Sequence, residues 1–196
     1  MSDARLQNIL SMIDAANAAD PSFEVVDGKP EPKALVYGRR MMAWLDRLVP
    51  DASALLKIAA RGQHLRRWEV PRNSYPATRE GYLRWRSYLY GFHANQVAAL
   101  MAESGYDDSA IGRVRILLQK RGIKTDPEVQ LIEDLACLVF LENDLANFAV
   151  TQNTDRLIGI IQKTWRKMSP QGHEHALSLS YPDDVKLIIS RALAPE

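Results

Sequence analysis

A chain of 196 residues, 46 % of them hydrophobic, has the length and apolar content of one folded domain with a sizeable core. Its 25 Lys and Arg against 24 Asp and Glu leave a net charge of +1, so no global field draws it toward nucleic acid or an acidic membrane. The single cysteine, Cys137, excludes an internal disulfide, and no run reaches the about 18 uncharged apolar residues that a membrane span needs.

The chain opens with MSDARLQNIL, which lacks the basic-then-apolar order of a signal peptide and predicts a cytoplasmic location. Leu6, Ile9, Leu10 and Ile13 recur at helical spacing and give a first amphipathic helix. Pro21, Gly28, Pro30 and Pro32 mark residues 21–33 as a loop. A second helix over 33–48 carries Val36, Met41, Trp44, Leu45 and Leu48 near one stripe. A third follows the turn at 50–53 and sets Leu56, Ala60, Gln63 and His64 along a shared side. Residues 70–77 hold two prolines and read as a loop. A long helix over 78–104 ends at Gly105, and the next opens on Asp108 and stops at Gly122. Asp126-Pro127 caps a sixth helix that reads unbroken to Val150. Further helices are expected over 154–168, where Pro170 and Gly172 then break the chain, and over 182–193. No strand pattern of useful length, repeat or linker interrupts the series. The prediction is an all-α single domain over 1–196 with about eight helices.

Three polar residues fall where a core stripe demands apolar ones. Asp134 lies amid Leu131, Leu138, Leu141 and Leu145 on the sixth helix. A buried unpaired carboxylate costs several kcal/mol, so Asp134 needs a metal, a basic partner such as Arg40 or Arg67, or a capped helix end. His64 follows Leu56 and Ala60, and His93 stands beside Leu89, Gln96 and Leu100. Two imidazoles and a carboxylate directed to a common interior suit a divalent transition metal, Mn, Fe, Co or Zn. Glu133 lies roughly 100° round the helix from Asp134 and could orient a water or take its proton. Arg61, Arg66, Arg67, Arg72, Arg84 and Arg86 cluster around Trp68 and Trp85, with Arg39, Arg40 and Tyr37 supplied by the second helix. Such arginines grip a phosphoryl group or pair with nearby glutamates. Arg40, Arg67, Tyr37 and Gln63 form the candidate substrate-binding set. His173 and His175, in PQGHEHA, read as solvent-facing loop residues, and Cys137 as a core residue.

The segments PKALVYGRRMMAWL, ARGQHLRRWEVPR, YLRWR, KTDPEVQLIEDLACLVFLE and KTWRKMS extend over nearly the whole chain. In them the chain resembles an uncharacterised DUF4202-like family of bacterial and fungal proteins, which brings no established reaction with it. More distantly, the order of elements resembles the HD-domain metal phosphohydrolases. That resemblance implies an HD-domain-like helical fold. Tyr37 stands where the family's first metal-binding histidine falls, Gln63-His64 where its histidine–aspartate pair falls, and Asp134 matches its final aspartate. His93 matches an additional histidine found in some members, while Gln119 or Lys120 replaces the one that binds a second metal. With Tyr37 and Gln63 in place of ligands, the resemblance implies either a rebuilt mononuclear centre of His64, His93 and Asp134 or a fold that has lost its metal and kept a binding pocket.

The expected function is a metal-dependent hydrolase of a small phosphorylated metabolite or nucleotide. The alternative is a non-catalytic ligand-sensing, RNA-binding or protein-interaction domain on a degenerate hydrolase-like fold. A small phosphorylated molecule is the expected partner, with nucleic acid less favoured and no membrane involved.

Overall fold

In a computed structural model describing residues 3–194, these residues form ten α-helices, two short 3-10 helices and one two-stranded hairpin. The all-α class therefore stands, with a finer division than eight helices. The chain groups into two compact units, one running to Ile132 and the other beginning at Glu133.

The first unit begins with α1 (Asp3–Asn17), whose Ile9 and Ile13 are fully buried as the helical spacing requires. Residues expected as a loop instead make an antiparallel hairpin, β1 (Phe23–Val26) with β2 (Lys29–Pro32), in the register Phe23 to Pro32 and Val26 to Lys29. Its turn is Asp27-Gly28 with φ of 49° and 77°, the left-handed pair that two-residue hairpins favour. Four-residue strands are too short to announce themselves by alternation, and two prolines in β2 mask the rest. Asp20, buried, accepts from the N–H groups of Ser22 and Ala34 at 2.9 and 3.0 Å. It thus ties the hairpin base to the N-terminus of α2 (Lys33–Leu48), whose N-cap residue, Pro32, makes no side-chain cap bond.

Ser53 caps α3 (Ala54–Arg61) by accepting from Leu56 N–H. This helix ends before Gly62, so Gln63 and His64 lie in the turns beyond it, not on its face as expected. Arg61 holds α1 to α3 through two 2.6 Å bonds to the Asp14 carboxylate. Short 3-10 helices at Arg67–Glu69 and Arg72–Ser74 lead to α4 (Arg79–Glu103), capped by Thr78. Gly62 lets the α3 end approach α4: a Cβ there would stand 2.5 Å from Val97 Cγ2. α5 (Asp108–Gln119) is capped by Asp107, one residue earlier than expected. Asp126 accepts from Glu128 and Val129 N–H at the start of α6 (Pro127–Asn143). Hydrogen bonds from Arg113 hold its carboxyl down at about 2.

The second unit contains the rest of α6, α7 (Leu145–Thr151), α8 (Thr154–Trp165), α9 (Pro170–Leu177) and α10 (Asp183–Leu193). The helix expected to run unbroken to Val150 divides at Asn143-Asp144, where the Asn143 amide turns back to donate to Val139 O at 3.0 Å. The segment expected to break at Pro170 and Gly172 is helix α9. Proline is tolerated at a first helical position, and Ser169 caps the helix by accepting from Gly172 N–H. Gly172 is needed there, because an added Cβ would meet the Asp134 carboxylate at 3.0 Å. His173 therefore sits on a helix and stacks on Trp165, with ring centres 3.9 Å apart. Cys137 is buried in the core, as expected. No helix of the described residues is long and apolar enough to cross a membrane.

Candidate functional site

Of the eight candidate site residues, the fold brings four side chains together within the first unit, Tyr37, His64, Arg67 and His93, with Gln63 next to His64 in the chain. Tyr37 comes from α2 and His93 from α4, while Gln63 and His64 occupy the turns after α3. The imidazole of His64 lies flat on the Tyr37 ring, with centres 3.6 Å apart and planes inclined by 17°. Its other neighbour is His93, 5.8 Å away between ring centres.

His93 is 4 % exposed, and its Nδ1 lies 2.9 Å from the carbonyl oxygen of Leu65. A carbonyl can only accept, so Nδ1 carries the proton and Nε2 presents a lone pair. That Nε2 is buried without a hydrogen-bond partner among the described residues, as is the amide nitrogen of Gln63. Each orphaned polar atom is a cost that a bound hydrogen-bonding group would remove. One is an acceptor and the other a donor.

The electrostatics favour an anion. Burial lowers His93 to about 4, against the opposing effect of the Leu65 bond, with nearby Arg67 lowering it further. His64 is pushed well below its ordinary value by burial, then by Arg67, His93 and Lys120. Both rings are therefore neutral at pH 7. Arg67 is itself lowered by burial and by Arg86, while Tyr37 and Tyr82 act the other way. Its guanidinium sits 4.6 Å from the centre of the Trp85 ring, and among the described residues no carboxylate forms a salt bridge with it. Trp85 is fixed in turn by its indole N–H, which donates to Val70 O at 2.9 Å.

The other three candidates have partners of their own. Arg40 reaches Glu24 on the hairpin at 2.6 Å. Glu133 and Asp134 belong to the second unit, both buried. Lys167 stands 3.6 Å from Glu133. The Asp134 carboxylate accepts from Ser169 N–H at 2.9 Å and Ser169 Oγ–H at 2.5 Å, so one of its partners is the cap of α9. Among the described residues no group of three or more His, Cys, Asp or Glu is arranged to hold a metal ion.

Sequence reasoning missed two groups that organise these positions. The Leu65 carbonyl, which sets the His93 tautomer, is a backbone atom and carries no sequence signal. Ser169-Pro170 did carry one: a capping residue before proline is the same start signal that Asp126-Pro127 displays.

No curated protein and no solved structure is significantly similar to the chain. The family described as Domain of unknown function (DUF4202) matches residues 7–189, nearly the full length, and the chain belongs to that family.

Proposed function

We propose that the chain is a ligand-binding domain for a small phosphorylated molecule, received in the first unit by Tyr37, Gln63, His64, Arg67 and His93. The observation that carries this reading is Arg67. A guanidinium with burial-lowered pKa and no carboxylate partner keeps its charge in a place where charge is costly to keep. A phosphoryl group would compensate it bidentately. The Gln63 amide would donate to a second phosphoryl oxygen, and His93 Nε2 would accept from a ligand hydroxyl. The flat Tyr37–His64 pair would wall the ligand on one side.

The test is calorimetric titration with a nucleoside monophosphate, a sugar phosphate and inorganic phosphate. Arg67→Met keeps the apolar stem over Trp85 and removes the charge. It is expected to weaken binding at least about 10-fold, since a charge-assisted bond contributes roughly 1.5–3 kcal/mol. Equal binding by the variant, or no binding of any phosphorylated probe to the parent, would sink the reading.

One observation supports a second reading, the metal-dependent hydrolase. Two imidazoles sharing a metal at about 2.1 Å have ring centres roughly 5–6 Å apart, and His64 and His93 stand 5.8 Å apart. The Leu65 bond orients His93 as bonds to a ligating histidine's other nitrogen do. In this reading the two imidazoles would hold a Mn, Fe, Co or Zn ion, which would supply Lewis acidity. Arg67 and Lys120 oppose it, because both raise the cost of a cation beside His64. Elemental analysis of protein prepared without added metal, compared with His93→Ala, separates the two. Stoichiometric metal lost in the variant would favour the hydrolase.

A further inference from the structure

The outer face of α4 offers a second binding surface, apart from the cluster around Arg67. Arg84, Tyr88, Gly91 and Asn95 recur at helical spacing along one strip, about 16 Å long at 1.5 Å per residue. Arg84, Tyr88 and Asn95 are exposed, and Tyr88 is 54 % so. Gly91 leaves the middle of the strip without a side chain, on a side that opens to space. Tyr88 is flanked by two rings, Phe92 stacked at 6.3 Å and Tyr75 tilted at 6.5 Å. Arg115 reaches over from α5 to hydrogen-bond Asn95. The strip is thus cationic at each end and aromatic between.

Charge decides what it fits. From Arg61 to Arg86 the chain holds seven arginines and only two acidic residues, Glu69 and Glu80. Arg61 pairs with Asp14 and Arg66 lies 3.8 Å from Glu69. Arg72 spends its hydrogen bonds on the neutral carbonyls of Tyr75, Pro76 and Thr78, so its charge remains. Arg115 likewise meets a neutral amide. The exposed ring of Tyr88 with its two neighbours offers a face for stacking, and a positive surface attracts a negative partner. A polymer that alternates planar rings with phosphates satisfies both.

We infer that this strip binds single-stranded nucleic acid, with bases stacked on Tyr88 and its flanking rings and phosphates held by Arg84 and Arg115. An acidic peptide would use the arginines and leave Tyr88 without a role. A duplex would present phosphates but hide the base faces.

The experiment is fluorescence anisotropy of the full chain with a labelled oligouridylate 12-mer from 50 to 200 mM salt. The expected result is binding that weakens with salt. Tyr88→Ala should weaken it about 5- to 100-fold, the range for loss of one stacked base, and Tyr88→Phe should restore it. Arg84→Glu should flatten the salt dependence, while Arg166→Glu, an exposed residue of the second unit, should leave affinity unchanged. Circular dichroism confirms that each variant folds. Salt-independent binding or none, equal affinity of Tyr88→Ala and parent, or preference for duplex RNA or oligoglutamate would each overturn the inference.

Discussion

His93 is a titratable group held in its neutral form, and that choice has a cost that pH reveals. Its folded value is about 4, against about 6.5 for an unfolded histidine. Between those values the unfolded chain takes up a proton that the folded chain refuses. Stability is therefore unaffected by this group above about pH 6.5, declines as pH falls toward 4, and levels off below. The full contribution is on the order of 3 kcal/mol, and His64 acts in the same direction. His93→Asn retains a donor for Leu65 O and removes the titration. Urea unfolding between pH 4 and 7 should give a shallower pH slope in this variant than in the parent, and superimposable slopes would refute the assignment. His93 was legible in the sequence as an inward residue because it interrupts the apolar spacing of α4, whereas His64 lies beyond the helix to which spacing assigned it. Their protonation was not legible, because it depends on a carbonyl and an arginine brought near by folding.

At the scale of elements, Gly62 does work that a larger residue could not do without moving its neighbours. Gly62 allows the end of α3 to lie on α4 beside Val97, one turn from His93. Gly62→Ala should destabilise the protein by about 1–3 kcal/mol, the usual cost of overpacking, and should weaken phosphate binding as His64 shifts from His93. A thermal melt with the same calorimetric titration checks both; an unchanged melting temperature would mean that Val97 simply turns aside. In the second unit, Ser169 both caps α9 and donates to Asp134. Ser169→Ala should cost about 1–3 kcal/mol, combining a lost cap with a poorly satisfied buried carboxylate, and denaturant titration would measure it. A loss below about 0.5 kcal/mol, the scale of ordinary surface changes, would show that the other partners of Asp134 suffice. The helices themselves followed from caps and spacing. The hairpin did not, because hydrogen bonds between two four-residue strands leave little periodicity in the chain that forms them.

Across the whole molecule, the net charge of +1 conceals an asymmetry. Residues 1–132 carry 19 basic and 15 acidic side chains, while 133–196 carry 6 and 9. Both proposed sites lie in the positive portion, and both take anions. A ligand that binds only the folded chain stabilises it by mass action, about 2.7 kcal/mol at a concentration 100-fold above Kd. The midpoint of thermal unfolding should therefore rise with added phosphorylated ligand in the parent and stay fixed in Arg67→Met. A rise of equal size in both would assign the ligand to another surface.

Apolar spacing, caps and proline placement were enough to declare the helical class, most helix limits and the inward-facing polar residues, since each is a local property of a few neighbouring side chains. Which of those residues meet was another matter. Arg40 turned to the hairpin, Asp134 took the Ser169 cap, and Arg67 came to lie by His64 and His93 without a carboxylate. Such partnerships join positions tens of residues apart, and they are settled by how helices pack and which buried charges find compensation, quantities that no stretch of chain carries alone.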